Sequence, residues 1–429
     1  MLSKGTLTAY LPLLPLLART STARLLSTDT SANQTGPKPY NINVDPAFIE
    51  ETRLKASKFR ETIGIEAPAW FDGPPVSEIN DIAKYWAEEY DWSKVQDEIN
   101  KNFSHYYTEV PAPGGNYQSN ESLGLHFIHE RSDRPDAIPI LFLHGWPSTS
   151  LEWEKVIHPL AHPNDTNTPA FHVVAPDLPG FGFSPAPAAP GLGASEHASL
   201  FASLMAQLGY SRYALYSTDL GTVIAQAFVV DHAPLILNHI TDFYLVFPSA
   251  NDTARYAANL TSPEETAYIT SLLAFTNAHS AYSAIHSTLP LSLAYALTDS
   301  PVGFLAWRYQ LAATVSDVPY TPQELITDTL LLYIPGVYGN IRSYKELYST
   351  DGLAPREPFT VPTSVLQFGV SGSAVYEEIS AFNYVPRDWV ERSADVRYWK
   401  RYAVGGHFPA LSVPGLVVGD VRAAMEAVA

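Results

Sequence analysis

The chain contains no cysteine, and this excludes disulfide bonds, thiolate metal sites and a cysteine nucleophile together. Charged residues are also scarce, at 16% of the sequence, and acidic ones prevail, so that the formal net charge is -18. A chain of this charge lacks the basic surface with which proteins bind nucleic acid. The sequence has no internal repeat of solenoid length, so a repeat architecture is excluded as well.

The first residues differ in composition from the rest and resemble a targeting segment. The apolar run from Leu7 to Leu17 is too short to span a bilayer, and we expect no transmembrane span. Small residues at Ser21 and Ala23 are typical of a secretory cleavage site. The arginines before the first acid, Asp29, fit a mitochondrial presequence instead, and a tail without a targeting role is the third alternative. Six Asn-x-Ser/Thr sequons favour secretion and glycosylation; they begin at Asn33, Asn102, Asn120, Asn164, Asn251 and Asn259.

Hydrophobic residues make up 46% of the 429 residues, which is enough for a sizeable core. Helical spacing of apolar positions comes first, then strands alternate with helices, then helices prevail again before the strands resume. We therefore expect five segments: a targeting or disordered segment at 1–38, an N-terminal helical segment packing on the core at 39–121, a first α/β core part at 122–250, an inserted helical cap at 251–360 and a second core part at 361–429.

The alternation of strands and helices predicts a mostly parallel sheet with right-handed crossovers. Ile138–Leu143, for example, is a continuous apolar run of the kind buried in parallel sheets. Sites in such sheets lie outside the carboxyl ends of the strands. Three polar turns fall at that edge: His-Gly-Trp-Pro at 144–147, the loop that begins at Asp177, and the turn at Asp219.

The turn at Asp219 has the pattern of a nucleophile elbow. A buried strand ending at Ser217 precedes it, a helix follows, and small residues flank it at Ser217 and Gly221, so that strand and helix can pack closely. Asp219 as a simple helix N-cap is the structural alternative. His407 follows a later strand and two glycines, which puts a histidine at the same sheet edge, in the chain order of an α/β-hydrolase.

A carboxylate in place of the usual serine changes the chemistry. A serine oxygen that attacked a saturated carbon, such as an epoxide carbon, would form an ether that this site could not hydrolyse. Asp219 would form an ester instead, and water activated by His407 could then attack the ester carbonyl. We expect the backbone N–H groups of Leu220 and Trp146 to stabilise the resulting oxyanion.

Taken together, these motifs resemble the microsomal-type epoxide hydrolases. The matching runs lie at 85–92, 125–129, 144–147, 177–184, 299–303 and 405–408, in the family's order. The resemblance implies an α/β-hydrolase core with an N-terminal segment and a cap, an epoxide and water as reactants, and no metal or organic cofactor. The apolar, aromatic sequence of the cap suggests that the epoxide is hydrophobic. The resemblance also implies that two cap tyrosines, Tyr282 and Tyr344, donate protons to the epoxide oxygen, as phenols can at neutral pH.

The sequence departs from the family pattern at two places. The elbow reads Ser-Thr-Asp-Leu-Gly at 217–221 instead of the usual Gly-Gly-Asp-Trp-Gly. The acid partner of His407 is displaced too, because the position five residues before Pro386 is Ala381. A small insertion would bring Glu378 into the family's place, and we expect Glu378 to be the triad acid, with Glu377 as the runner-up.

Three other functions compete with epoxide hydrolysis. A haloalkane dehalogenase would also use an aspartate nucleophile, but it needs N–H donors for the halide and not paired phenols. A serine esterase would need its nucleophile at the elbow, whereas Ser217 lies two residues away. A catalytically inactive hydrolase fold that serves as a binding module is disfavoured by the intact Asp219 and His407. The sequence gives no indication of the natural epoxide, the enantioselectivity or the oligomeric state.

Overall fold

The computed structural model describes residues 36–348, 358–371 and 376–429. The expected targeting segment at 1–38, with its Ser21 and Ala23 site, lies outside the described residues except for its last three positions. The sequon at Asn33 and the cap positions 349–357 lie outside them too. No helix in the described part of the chain is long and apolar enough to cross a membrane.

A nine-stranded sheet forms the centre of the described chain, in the spatial order β1-β2-β3-β5-β4-β6-β7-β8-β9. Its strands are β1 Lys38–Pro39, β2 His105–Val110, β3 Leu123–Glu130, β4 Ile138–Leu143, β5 Phe171–Pro176, β6 Tyr213–Ser217, β7 Ile236–Thr241, β8 Pro362–Phe368 and β9 Asp395–Tyr402. The pairs from β1 to β5 are antiparallel, and all pairs from β5 to β9 are parallel. The sheet is therefore mostly parallel, as the alternation of strands and helices predicts.

The segment 39–121 is less helical than expected. Helices α1 Pro46–Ser57, α2 Val76–Glu88 and α3 Trp92–Asn102 fill its first part, but β2 then joins the sheet beside β3. Aromatic and β-branched residues at Tyr106, Tyr107 and Thr108 favour extended structure, and their backbone pairs with β3. The segment therefore extends the sheet as well as covering it.

Helices cover both faces of the sheet: α4 Glu154–Ala161, α5 Ala194–Gln207, α6 Asp219–Asp231, α14 Arg387–Val390, α15 Pro409–Ser412 and α16 Pro414–Glu426. Strand β4 shows the period of two that this layering requires. Leu141 and Leu143 belong to the core layer shared with α5 and α6, whereas Ile140 and Phe142 belong to the layer shared with α4 and α16. Both layers are fully buried, which fixes the carboxyl edge of the sheet as a rigid platform.

Between β7 and β8, the described residues form seven α-helices: α7 Ala250–Ala257, α8 Pro263–Ala274, α9 Ala281–Thr288, α10 Pro290–Asp299, α11 Pro301–Thr314, α12 Pro322–Tyr333 and α13 Val337–Leu347. Four of them begin with proline, which is tolerated in the first turn of a helix but not in its interior. The helical spacing of apolar positions continues from Pro263 to Ala281, but α8 ends at Ala274 and a π-helical turn, Phe275–His279, follows. This wider turn separates α8 from α9, which carries Tyr282.

Candidate active site

Asp219 occupies the sharp turn between β6 and α6. Its φ of +43° lies in the left-handed region, which costs a non-glycine residue about 1–3 kcal/mol and marks functional turns. The surrounding backbone is tight, because a Cβ on Gly145 would overlap the Asp219 carboxylate and a Cβ on Gly221 would overlap the carbonyl oxygen of Leu143. Asp219 is therefore held at the carboxyl edge of the sheet in the geometry of a nucleophile elbow.

Two backbone N–H groups donate hydrogen bonds to the Asp219 carboxylate. The N–H of Trp146 donates to Oδ1 at 2.9 Å, and the N–H of Leu220 also favours the ionised form. Burial raises the pKa of Asp219 above its ordinary value, while His407 and these two N–H groups oppose the rise. Both N–H groups predicted as oxyanion donors thus face the carboxylate, and their catalytic role is taken up below.

His407 lies opposite Asp219, with Nε2 at 3.7 Å from Oδ2. The ring is wedged between the edge-on rings of Phe243 and Phe408, with ring centres at 5.4 and 4.8 Å. Its backbone N–H donates to the carbonyl of Val315 at 2.8 Å. Burial lowers the pKa of His407, and the charge of Asp219 opposes this shift. A histidine that stays neutral in this place can accept a proton from water.

Asp317 holds the loop that carries His407. Its Oδ2 accepts from the N–H of Gly405 and its Oδ1 from the N–H of Ser371, both at 2.8 Å. Gly406 takes a positive φ of 63°, and a Cβ there would meet the backbone of Ser316 and Asp317 at 2.8–2.9 Å. Sequence reasoning missed Asp317, because its partners are distant in the chain and no local pattern connects them.

Tyr282 on α9 and Tyr344 on α13 meet above the sheet edge, with ring centres 5.8 Å apart in an edge-to-face arrangement. Trp146 stacks on Tyr282 at 5.5 Å. Burial raises the pKa of both phenols, and the nearby charge of Asp219 raises it further, so both stay protonated at neutral pH. The Tyr344 hydroxyl is buried without a hydrogen-bond partner of good geometry among the described residues. Tyr282 lines the cavity in front of Asp219, whereas Tyr344 is fully buried and does not line it.

A third tyrosine, Tyr348, was not predicted. It stacks on Tyr344 with ring centres 5.0 Å apart and lines the same cavity as Asp219. Burial and then the charge of Asp219 raise its pKa well above the ordinary value. The signal that could have found it is the spacing of four residues after Tyr344, which puts both rings on one helix face.

The cavity in front of Asp219 is largely apolar. Phenylalanine and aliphatic side chains line most of it: Phe243, Leu245, Phe275, Leu311, Val315, Val370, Ile379 and Phe382. The polar groups that reach it include Asp219, His407, Tyr282 and Tyr348. A neighbouring hollow shares Phe275 and Tyr282 and continues to Phe71, which is 72% exposed. The reactive groups thus stand at the end of an apolar pocket near a route to the surface.

The structure does not bring Glu378 to His407. The Glu378 carboxylate pairs with His279 at 3.0 Å, and 53% of its side chain is exposed. In the short 3₁₀ turn Glu377–Ile379, Ile379 is buried while Glu377 and Glu378 face outward. Among the described residues, Asp219 has the one carboxylate within 4.0 Å of a His407 ring nitrogen. The pairing expected from the sequence is therefore not seen, because the burial of Ile379 turns both glutamates away.

Ser217, the nucleophile that a serine esterase would need, is fully buried at the end of β6. Its Oγ lies 2.9 Å from Nε2 of His239 and 3.1 Å from the hydroxyl of Thr222, so it is used within the core. Ser217 does not line the cavity in front of Asp219. The esterase alternative is therefore excluded by position as well as by spacing.

Asp177, at the same sheet edge, has a structural task. Its carboxylate accepts from the N–H groups of Ser150 and Phe183 and pairs with Nδ1 of His126 at 2.7 Å. Nε2 of His126 lies 3.0 Å from Nδ1 of His105, whose own Nε2 donates to a backbone carbonyl. Burial alone would raise the pKa of Asp177, but His126, His144 and the N–H of Phe183 together outweigh it and bring that pKa to about 2.

By its fold the chain is an α/β-hydrolase. The family model of the alpha/beta hydrolase fold matches residues 138–269. The crystal structure of juvenile hormone epoxide hydrolase from the silkworm Bombyx mori superposes with a TM-score of 0.81 at 26% identity, over 92% of this chain and 95% of that one. The predicted fold class, with its mostly parallel sheet, is thereby confirmed.

The chain belongs to the epoxide hydrolase family, in its microsomal type. The family model "Epoxide hydrolase N terminus" matches residues 37–153. A Stigmatella aurantiaca (strain DW4/3-1) protein named "Putative epoxide hydrolase" is 30% identical over 90% of this chain and 84% of that protein. Epoxide hydrolase 1 of Sus scrofa is 26% identical over 92% of this chain and 90% of its own length. The family resemblance and the assignment to the hydrolases are confirmed.

Proposed function

We propose that this enzyme converts a hydrophobic epoxide to a vicinal diol through an ester on Asp219. The observation that carries the proposal is that the two oxygens of the Asp219 carboxylate have different partners. Oδ1 accepts from the N–H of Trp146, whereas Oδ2 faces His407 in the cavity. One oxygen is thus held by oxyanion donors while the other is free to attack.

In the first step, Oδ2 of Asp219 attacks an epoxide carbon. A carbon–oxygen ester bond forms, the ring carbon–oxygen bond breaks, and the leaving alkoxide takes a proton from Tyr282 or Tyr344. Both phenols are buried and carry raised pKa values, so they are protonated when the strongly basic alkoxide develops. The proton passes to oxygen at the moment at which the ring opens.

In the second step, water attacks the carbonyl carbon of the Asp219 ester and gives its proton to Nε2 of His407. The negative charge develops on Oδ1, which accepts from the N–H of Trp146, and the N–H of Leu220 also donates to this carboxylate. Preorganised donors of this kind stabilise a developing oxyanion without rearrangement. Collapse of the tetrahedral intermediate breaks the bond to the diol oxygen, which takes the remaining proton of the attacking water, and the carboxylate is restored. The proton on His407 returns to the deprotonated tyrosine.

The substrate class follows from the cavity wall. Phenylalanine and aliphatic side chains surround the reactive groups, and cavities of this composition bind ligands through apolar contact. We therefore assign a hydrophobic epoxide. The silkworm relative bears the name of juvenile hormone epoxide hydrolase, which is in keeping with an apolar substrate.

Among the described residues, the indole N–H that lies beside the nucleophile is not free to bind a leaving halide. The indole N–H of Trp146, beside the nucleophile, donates to Oδ1 of Asn340 at 3.1 Å. Tyr282 and Tyr344 are the groups that stand nearby, and phenols suit an alkoxide. The arrangement of the cap therefore favours epoxide opening.

The test is diol formation from a styrene-oxide-like epoxide by the purified protein, with Asp219→Ala as the matched control. We expect turnover by the wild type and none above the background by the variant. Turnover of a haloalkane with halide release but no epoxide turnover would support the alternative. Inertness toward a panel of aromatic and aliphatic epoxides by folded protein would overturn the proposal.

A further inference from the structure

Outside the catalytic cavity, three metal-ligating side chains converge at the end of α4. His158 lies in the last turn of this helix, His162 caps it, and Glu130 ends β3. One ligand atom of each lies within 4.8 Å of the others, and His162 Nε2 is 3.5 Å from Glu130 Oε1. Two ligands of a tetrahedral zinc ion stand about 3.3 Å apart. We propose that Glu130, His158 and His162 bind a divalent transition-metal ion such as Zn²⁺.

The hydrogen bond and the ring contact of His158 orient it as a metal ligand. Its Nε2 lies 2.7 Å from the backbone carbonyl of Asn102, an acceptor only, so Nε2 carries the proton and Nδ1 keeps the free lone pair. Metal-binding histidines usually donate their other ring N–H to a carbonyl in this manner. The ring of Phe103 stacks on His158 at 5.4 Å with 10° between the planes. Tautomer and ring orientation are thus both restrained.

The Glu130 carboxylate has few hydrogen-bond partners among the described residues. Only 14% of its side chain is exposed, and its buried Oε2 has no hydrogen-bond partner among the described residues. In the part of the chain that the structure describes, its Oε1 has one long contact, with Nε2 of His162 at 3.5 Å. The site also stands at the carboxyl end of α4, where the helix dipole favours a cation. A metal ion would satisfy both the carboxylate and the helix end.

The three ligands indicate which class of metal ion the site would bind and what role the ion would have. Two imidazoles and a carboxylate suit zinc and its neighbours, and not calcium or magnesium, which prefer all-oxygen sites. The ion would link β3 to α4, and through His158 to the end of α3, in a chain without disulfides. Binding to the folded state alone raises stability by mass action. The site is therefore structural and separate from the reaction at Asp219.

The experiment is calorimetric titration of tag-free, chelator-treated protein with zinc sulfate, together with the melting temperature with and without zinc. We expect one ion per chain and a rise in melting temperature. His162→Ala and Glu130→Gln, checked by circular dichroism for folding, should each weaken binding at least about tenfold and abolish the rise. His279→Ala is the matched control, since His279 has a carboxylate partner in Glu378 but no third ligand among the described residues, and it should bind zinc like the wild type.

Absence of saturable zinc binding by the wild type would overturn the proposal, as would equal affinity in the wild type and both site variants. Loss of binding in His279→Ala would place the ion elsewhere and overturn it as well. Epoxide turnover of the chelated protein is measured in parallel, and we expect it to be unchanged. Because the two readouts are independent, failure of the metal site and failure of the proposed reaction are distinguishable.

Discussion

Nε2 of His407 stands 3.7 Å from Oδ2 of Asp219, farther than a hydrogen bond. The ring is held in this position by Phe243 and Phe408 and by the bond from its backbone to Val315, with no other carboxylate at its nitrogens in the described chain. The separation keeps the base beside the nucleophile without tying up the attacking oxygen. It also means that the base is oriented by packing and backbone contacts.

Replacing the cap tyrosines should slow the first half-reaction. Tyr282→Phe and Tyr344→Phe each remove one proton donor to the leaving alkoxide, and the loss of one such donor costs about 10²–10³ in rate. We expect ester formation to slow by that factor in each variant and to be nearly absent in the double variant, as measured by stopped flow. Tyr295→Phe, an exposed tyrosine of the cap, is the control. A double variant that forms ester at the normal rate would refute this role.

Glu378→Gln should leave ester hydrolysis within about twofold of the wild type. The Glu378 carboxylate is exposed and pairs with His279, and exposed pairs of this kind contribute little. Pre-steady-state kinetics would reveal an accumulating ester if the sequence-based assignment to the triad were right after all. Glu377→Gln is the companion variant, with the same expectation.

We expect Asp317 to affect the reaction rate because it holds the loop that positions His407. Asp317→Ala removes both acceptors that hold Gly405 and Ser371, and a small misplacement of a catalytic group costs up to about 10² in rate. We expect kcat to fall by about 10–10² with KM changed far less, because the hydrolytic step depends on the base. Asp317→Asn keeps one accepting oxygen and should fall in between. Equal loss in ester formation and hydrolysis would indicate general disruption instead.

The acid limb of the pH profile should lie between the ordinary pKa values of aspartate and histidine. Burial raises the pKa of Asp219 from 3.8 and lowers that of His407 from 6.5. Asp219 must be ionised and His407 neutral, so activity falls as the pH drops through this window and is complete above it. The raised pKa values of Tyr282 and Tyr344 predict no loss of donors below about pH 10. A limb in kcat/KM centred above pH 7 would contradict these directions.

The site residues with local patterns could be predicted from the sequence, and those that depend on distant contacts could not. Asp219 lies in a strand-turn-helix pattern with small residues, and His407 follows two glycines, so each could be found from its neighbours. Asp317 acts through backbone groups distant from it in the chain. The direction of Glu378 depends on the burial of Ile379, one residue away, in a short turn that contacts α8 of the cap. Spacing alone cannot give that direction.

The same distinction holds for the fold. The central parallel strands β4 and β6 are largely apolar runs, whose burial on both faces gives a clear pattern. Strand β2 pairs only along the antiparallel edge, and its half-buried sequence could equally end a helical segment. The π-helical turn Phe275–His279 interrupts a continuous helical pattern without a proline or glycine to mark it. Both features are set by tertiary contacts.

The most direct test of the central claim is a single turnover in heavy-oxygen water with enzyme in excess over epoxide. The account predicts that one heavy oxygen enters the carboxylate of Asp219, because water attacks the ester carbonyl and not the epoxide carbon. Mass spectrometry of the proteolytic peptide that contains Asp219 should show a gain of about 2 Da, and the first diol formed should contain only ordinary oxygen. Label in the diol with none in Asp219 would show direct attack by water and contradict the account.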